Sequence, residues 1–302
     1  MMADGTEGDE DGHGYNGGGS SSGVTWPAVA PLPSLKAQLH IASVPAQGYR
    51  KLGMLVEHLE ARLGDERRAG RGCVSADWVL GEIDRFSQGL GRWLKVAGDA
   101  KSEILEHSIA SRPLTEFKTM AEFGSFVGYT ATRMGRAVEA SYCEGFRDGT
   151  ISFEDSRLQG CNRVTTMELD PIHACICRRV VDIARLSHIV ECWIGQVKDL
   201  IPRMLEEFGS TNLNMVFMDQ RGTTFHEDLS QLEALRLMHP GCRIVADNTV
   251  KPGSPVYCWH TTYSKAYDTT NYSLNEFLES DIEDWQVVCD YKGPLATGSE
   301  PR

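Results

Sequence analysis

The stretches Asn214-Met-Val-Phe-Met-Asp219 and Cys242-Arg-Ile-Val-Ala-Asp247, the second continuing into Asn248, decide the fold. Each is a short apolar run closed by an acid, the pattern of a strand covered on both faces in a parallel sheet. In an open α/β sheet the ligand crevice lies beyond the carboxyl ends of the strands, so the two carboxylates and the amide are expected to converge there. Three oxygen donors suit a hard, partly hydrated cation such as Mg²⁺ better than zinc, which favours Cys and His. Taken singly, Asp219 or Asp247 reads as a solvated strand end. Their pairing with Asn248 points to a metal site.

Upstream and downstream of these runs, short apolar segments alternate with amphipathic ones, the signature of βαβ units. The predicted strands are Thr119–Phe123, Arg163–Glu168, Ile189–Trp193, Asn214–Asp219, Cys242–Asp247, Val256–Thr262 and Trp285–Tyr291, seven in all. Between them, Tyr129–Val138, Pro171–Leu186, Gln196–Phe208 and Glu227–Met238 are predicted helices. Asp170-Pro171 opens its helix with an acid at the N-cap and proline at the first helical position. The last two strands have no helix between them, which predicts an antiparallel hairpin at one sheet edge. Their connection, Tyr263 to Glu283, is long enough to carry function. The acidic, Gly-containing segment 139–161 reads as an insertion loop.

Before the sheet, Tyr49 to Leu63 repeats apolar residues at helical spacing through Leu52, Leu55, Val56, Leu59 and Leu63. A second helix is expected from Asp77 to Phe86, capped by Ser75, and a third from Asp99, whose side chain can accept from its first turn. The resulting plan is an acidic, Gly/Ser/Pro-rich tail over 1–45 and a single domain over 46–294. The domain has N-terminal helices to 112 and an α/β core from 113, and residues 295–302 fray.

With 302 residues and 41% hydrophobic content the chain can bury a substantial core. A net charge of -12 argues against a nucleic-acid or anionic-membrane partner, either of which needs a cationic surface. No stretch of about twenty apolar residues is present to span a bilayer, and the opening residues lack the features of a secretory signal. Nine cysteines without a C-x-x-C pair read as reduced thiols of a cytoplasmic protein. Cys175 and Cys177 fall on different sides of a helix, which removes them as a metal pair.

The first strand leads into Ala121-Glu-Phe-Gly-Ser-Phe-Val-Gly-Tyr129, a strand–loop–helix crossing with Gly124 and Gly128. Gly124 permits a tight turn close to a ligand, and Gly128 lets the helix begin near the same spot. The second strand ends in Glu168, where an acid commonly accepts ribose hydroxyls in nucleotide-type α/β sites. Nothing here cradles a pyrophosphate and no G-x-G-x-x-G is present, so S-adenosylmethionine fits better than NAD.

The ordered motifs Trp93-Leu-Lys-Val-Ala-Gly-Asp-Ala-Lys101, Glu122-Phe-Gly-Ser-Phe-Val-Gly-Tyr129, Met167-Glu-Leu-Asp-Pro171, Met215-Val-Phe-Met-Asp219, Ala246-Asp-Asn248, Lys251-Pro-Gly-Ser-Pro255 and Asp290-Tyr-Lys-Gly-Pro294 together resemble the catechol O-methyltransferases. The resemblance implies a Rossmann-like fold of seven strands, mostly parallel with an antiparallel C-terminal edge hairpin, using S-adenosylmethionine and Mg²⁺ to methylate one hydroxyl of a catechol-type diphenol. It implies that Asp219, Asp247 and Asn248 hold the metal. Ala97, Glu122, Gly124, Gly128, Tyr129, Thr130, Glu168 and Gln220 would surround the cofactor. Trp93 and Pro252 would flank the aromatic ring, with Asn248 and Glu279 also at the substrate and Glu279 hydrogen-bonding the second hydroxyl. A monomer is expected.

Three departures stand out. Family members carry a lysine three residues after the first metal aspartate, where this chain reads Asp219-Gln-Arg-Gly222. Gln220-Arg221 replaces a His-Trp pair, and Val197-Lys198 replaces a Ser-Gln pair. His226 or Lys198, or metal coordination alone, is then the expected substitute for the missing base. The alternative is a degenerate member that binds cofactor or partner without turnover.

Overall fold

In a computed structural model, residues 44–89, 94–111, 119–148, 163–276 and 279–294 are described. One sheet contains β1 (Thr119–Phe123), β2 (Arg163–Glu168), β3 (Val190–Ile194), β4 (Leu213–Met218), β5 (Met238–Ala246), β6 (Tyr267–Glu276) and β7 (Glu279–Tyr291). Their spatial order is β3-β2-β1-β4-β5-β7-β6. Neighbours from β3 to β5 run parallel, β7 runs antiparallel to β5, and β6 closes the edge antiparallel to β7. All five residues of β1 are buried, as are the last four of β4, because helices cover both faces.

The crossovers are α4 (Tyr129–Asp148), α5 (Pro171–Ile183), α6 (Val197–Phe208) and α7 (Phe225–Ala234). Ahead of the sheet come α1 (Val44–Arg68), α2 (Ala76–Gln88) and α3 (Asp99–Ala110), and α8 (Pro255–Tyr263) joins β5 to β6. The chain divides into two units, Met1–Met54 and Leu55–Arg302. In the first, the described residues 44–54 begin α1; the second carries the sheet and the other helices. From β1 the chain winds outward through β2 and β3, and from β4 it winds the other way. The crevice therefore opens between the carboxyl ends of β1 and β4. Two strand termini are tied there, Asp219 donating its backbone N–H to the Phe123 carbonyl at 2.9 Å.

Local chemistry sets the boundaries. Ser75 caps α2 by accepting from the Trp78 N–H at 3.2 Å, and Asp170 Oδ1 caps α5 by accepting from Ile172 (2.8 Å) and His173 (3.3 Å). Asp99 does not cap α3 as expected: Gly98 takes the cap position without a side-chain bond, and Asp99 is the first helical residue.

Two further expectations are corrected. Val256–Thr262, predicted as a strand among the short apolar runs, lies inside α8. Tyr257 and Thr261, four apart, are buried, while Val256, Trp259 and Tyr263 face outward, which is a helical period. The strand paired with β7 is instead β6, drawn from the polar connection; an edge strand needs no continuous apolar run because one side is open. The predicted insertion loop is helical over 139–148, where it extends α4. The rest of that loop, the tail over 1–43 and residues 295–302 lie outside the described residues. Among the described residues no helix is long and apolar enough to cross a membrane. Cys175 is exposed and Cys177 buried, on different sides of α5.

Candidate cofactor and metal site

A cavity of about 530 Å³ opens beyond the strand ends, lined among others by Gly124, Glu168, Gly195, Lys198, Asp219 and Gln220. Glu168 ends β2 with both oxygens engaged: Oε2 accepts from the Phe126 N–H at 2.8 Å and Oε1 from the Asp170 N–H at 2.9 Å. Burial raises its carboxyl, but the His173 ring and these two N–H groups outweigh burial and hold it below the usual range. A carboxylate has about four acceptor positions, so capacity for further hydroxyl donors is left. Gln220 donates from Nε2 to Asp228 Oδ2 at 2.8 Å, and its Oε1 is buried without a hydrogen-bond partner.

Gly124 has φ +98, and a Cβ there would stand 2.8 Å from the Asp219 carbonyl oxygen. The absent side chain thus brings the ends of β1 and β4 together at the crevice. Gly128, with φ +81, instead clears Cys177 on α5, whose Sγ would lie 2.9 Å from a Cβ. Glu122 and Thr130 are buried, and Tyr129, also buried, donates its hydroxyl to Asp84 Oδ1 at 2.7 Å. Thr166 Oγ1 stands in hydrogen-bonding contact with both Glu122 Oε2 and Ser125 Oγ, the latter at 2.5 Å. Thr166 donates to Glu122 and Ser125 can donate to Thr166, and burial, outweighing the Thr166 bond, pushes the Glu122 carboxyl up to about 8. Ala97 is buried just before α3.

The pairing of Met218 with Ala246 sets Asp219 and Asp247 side by side at the ends of neighbouring strands. Asn248 follows in the left-handed region at φ 55, where Asn is tolerated. Asp247 is buried, and Lys101 Nζ stands 3.0 Å from its Oδ1 as an ion pair, off the axis of a directed hydrogen bond. The same ammonium lies 2.9 Å from Asp284 Oδ2. Asp284 Oδ2 also accepts from Asn248 Nδ2 at 2.8 Å, while Oδ1 accepts from the backbone N–H groups of Val250 and Lys251, both at 3.2 Å. Sequence reasoning missed Lys101 and Asp284 as site residues. Lys101 sits in the Gly98-Asp-Ala-Lys101 motif, but Asp284 lies 183 positions away and reads as a surface acid.

Two strand-end carboxylates beside an amide whose nitrogen already donates to Asp284 form an oxygen donor set of the kind that fits a small cation. Among the described residues no three of His, Cys, Asp and Glu gather as a metal cluster, so a cation site here depends on the Asn248 oxygen. Gly222, where relatives were expected to differ, is buried; a Cβ there would stand 2.7 Å from the Gly253 carbonyl oxygen. Backbone packing therefore leaves no room for a lysine side chain in this arrangement. Of the substitute bases, Lys198 lines the cavity and His226 is half-buried on α7. Pro252 is exposed in the turn Thr249–Gly253. Trp93 and the side chain of Glu279 lie outside the described residues, although the Glu279 backbone opens β7.

No family model matches the sequence. It is 30% identical over 225 residues to the catechol O-methyltransferase of Mus musculus, covering 74% of this chain and 74% of that protein. With the Sus scrofa catechol O-methyltransferase it shares 30% identity over 199 residues, 65% of this chain and 93% of the relative. The chain belongs to the catechol O-methyltransferase family. Solved O-methyltransferases have the same fold. One from Bacillus cereus superposes with TM-score 0.54 at 17% identity, covering 77% of this chain and 99% of that one. A putative one from Klebsiella pneumoniae gives 0.52 at 18%, covering 78% and 100%. The mostly parallel seven-stranded sheet with antiparallel C-terminal strands is thus the O-methyltransferase fold, consistent with the family the sequence shows.

Proposed function

We propose that this protein transfers a methyl group from S-adenosylmethionine to one hydroxyl of a vicinal diphenol chelated by Mg²⁺. Supporting this reading, Asp219 lines the cavity with Gly124 and Glu168, and Asp247 and Asn248 follow the end of the neighbouring strand. When bound, the cofactor supplies an electrophilic methyl group and the dication supplies Lewis acidity to an aryl hydroxyl. Asp219, Asp247 and the Asn248 oxygen hold the dication. Glu168 accepts ribose hydroxyls, and the bare backbone at Gly124 allows close approach. Gln220 Oε1, fixed by the bond from its Nε2 to Asp228, supplies an acceptor for an amino group of the base. Trp93 and Pro252 hold the ring flat, and Glu279 accepts from the second hydroxyl.

The remaining demand is loss of a proton from the acceptor hydroxyl. Gly222 cannot take it, so coordination alone or a base such as Lys198 or His226 serves. General-base help is worth about 10²–10⁴-fold, so its weakening slows turnover without abolishing it. A pH–rate profile unchanged by Lys198→Ala and His226→Ala eliminates those two bases.

The test is incubation of the full chain with methyl-labelled S-adenosylmethionine, catechol and Mg²⁺, with and without a chelator. Label transfer that chelation abolishes is the expected result. Gly222 favours one rival reading, a member that binds without turnover; cofactor binding with no label transfer establishes that rival. The protein is expected to act as a cytoplasmic monomer.

A further inference from the structure

Asp284 has no lone pair to offer a metal. Its Oδ1 takes two backbone N–H groups at 3.2 Å each, and its Oδ2 takes Lys101 Nζ at 2.9 Å and Asn248 Nδ2 at 2.8 Å. It is fully buried, as Lys101 nearly is, at 0% and 2% exposure. Buried ions of this kind are costly unless paired, so the two are held together by mutual need. Because an ionised carboxylate only accepts, Asn248 must turn its nitrogen toward Asp284. Its oxygen is therefore turned away from Asp284, and the Lys101 ammonium bridges Asp284 and Asp247.

From that position Lys101 places a positive charge 3.0 Å from Asp247 Oδ1. A dication gripping both Asp247 oxygens would lie close to this ammonium, whereas one bound through the other oxygen alone would be farther from it. Mg²⁺ accepts single carboxylate oxygens in a tight octahedron and keeps waters; Ca²⁺ prefers more ligands, often with bidentate carboxylates. Asp284, which could have served as a third carboxylate ligand, is withheld by the same lysine.

We propose that Lys101, locked by Asp284, sets the cation preference of this site by restricting Asp247 to one-oxygen ligation, so that Mg²⁺ is accepted and Ca²⁺ is discriminated against. The inference rests on the metal reading above and is tested without turnover. Mn²⁺ is titrated into the full chain and followed by the loss of its free six-line paramagnetic resonance signal, then displaced with Mg²⁺ or Ca²⁺. The ratio of displacing affinities is compared among wild type, Lys101→Met and the charge-neutralised pair Lys101→Met/Asp284→Asn, with circular dichroism reporting the fold. The variants are expected to shift that ratio toward Ca²⁺ by about tenfold or more, as bidentate ligation becomes available. If Lys101→Met loses its fold, the double variant carries the comparison. Mn²⁺ binding with an unchanged ratio in a folded variant overturns this inference and leaves the metal reading intact. Wild type that takes up no Mn²⁺ overturns both.

Discussion

Glu122 shows how one side chain can report on its surroundings. Its carboxyl ionises around 4.5 when unburied and is pushed up to about 8 by desolvation in the fold. Between those values the unfolded chain holds fewer protons than the folded one, so stability must fall as pH rises through this window and level off above it. Glu122→Gln, the neutral isostere, should flatten that decline and gain on the order of 1–3 kcal/mol at pH 8–9 in cofactor-free denaturant melts. An unchanged pH slope would show that Glu122 is ionised in the fold. Gly222 gives a second prediction. Its Cβ position falls 2.7 Å from the Gly253 oxygen, so Gly222→Ala should cost about 1–3 kcal/mol in urea unfolding. Gly222→Lys should lower stability further and fail to raise the rate. The neighbouring strand ends that carry Asp219 and Asp247, with Asn248 after the second, were readable from the sequence because each closes an apolar run. Lys101 and Asp284 were not, because their meaning lies in a contact across 183 positions. Local pattern cannot distinguish a buried ion pair from two solvated charges.

Elements were legible where both faces are covered or a cap fixes the start. β1 and β2 coincide with their predicted bounds, since a run buried on both sides carries its own signal. α8 and β6 escaped for opposite reasons. Val256–Thr262 has strand composition, but Pro255 at its first position and the burial of Tyr257 with Thr261 make it helical; the Thr261 hydroxyl donates back to the Tyr257 carbonyl at 3.0 Å. β6 is polar because it lies at the edge and draws its register from β7. The cap of α5 also bears on function: Asp170 holds the first turn, and its own N–H holds Glu168. Asp170→Ala should therefore cost about 1 kcal/mol of stability and weaken cofactor binding as well. Calorimetry with S-adenosylhomocysteine and thermal melts separate the two effects. Lost stability with unaltered affinity would mean that Glu168 keeps its place without the cap.

At the scale of the whole molecule, the switch in winding direction between β1 and β4 makes ligand binding and stability one property. The cavity draws residues from the ends of β1, β2 and β4 and from the loop after β3, so a ligand filling it ties together strands contributed by both halves of the sheet. Anything bound by the folded chain alone stabilises it by mass action, about 2.7 kcal/mol at a hundredfold excess over Kd. For a domain of this size 1 kcal/mol moves Tm by roughly 2–4 °C, so saturating S-adenosylhomocysteine should raise Tm by several degrees. The proposed metal donors stand at the ends of β4 and β5 and should add a separate increment. Asp247→Ala should abolish the further rise caused by Mg²⁺ with a diphenol while leaving the S-adenosylhomocysteine increment in place. Loss of both increments in Asp247→Ala would mean that the two sites fold as one cooperative unit; survival of the Mg²⁺ increment would remove Asp247 from the metal site.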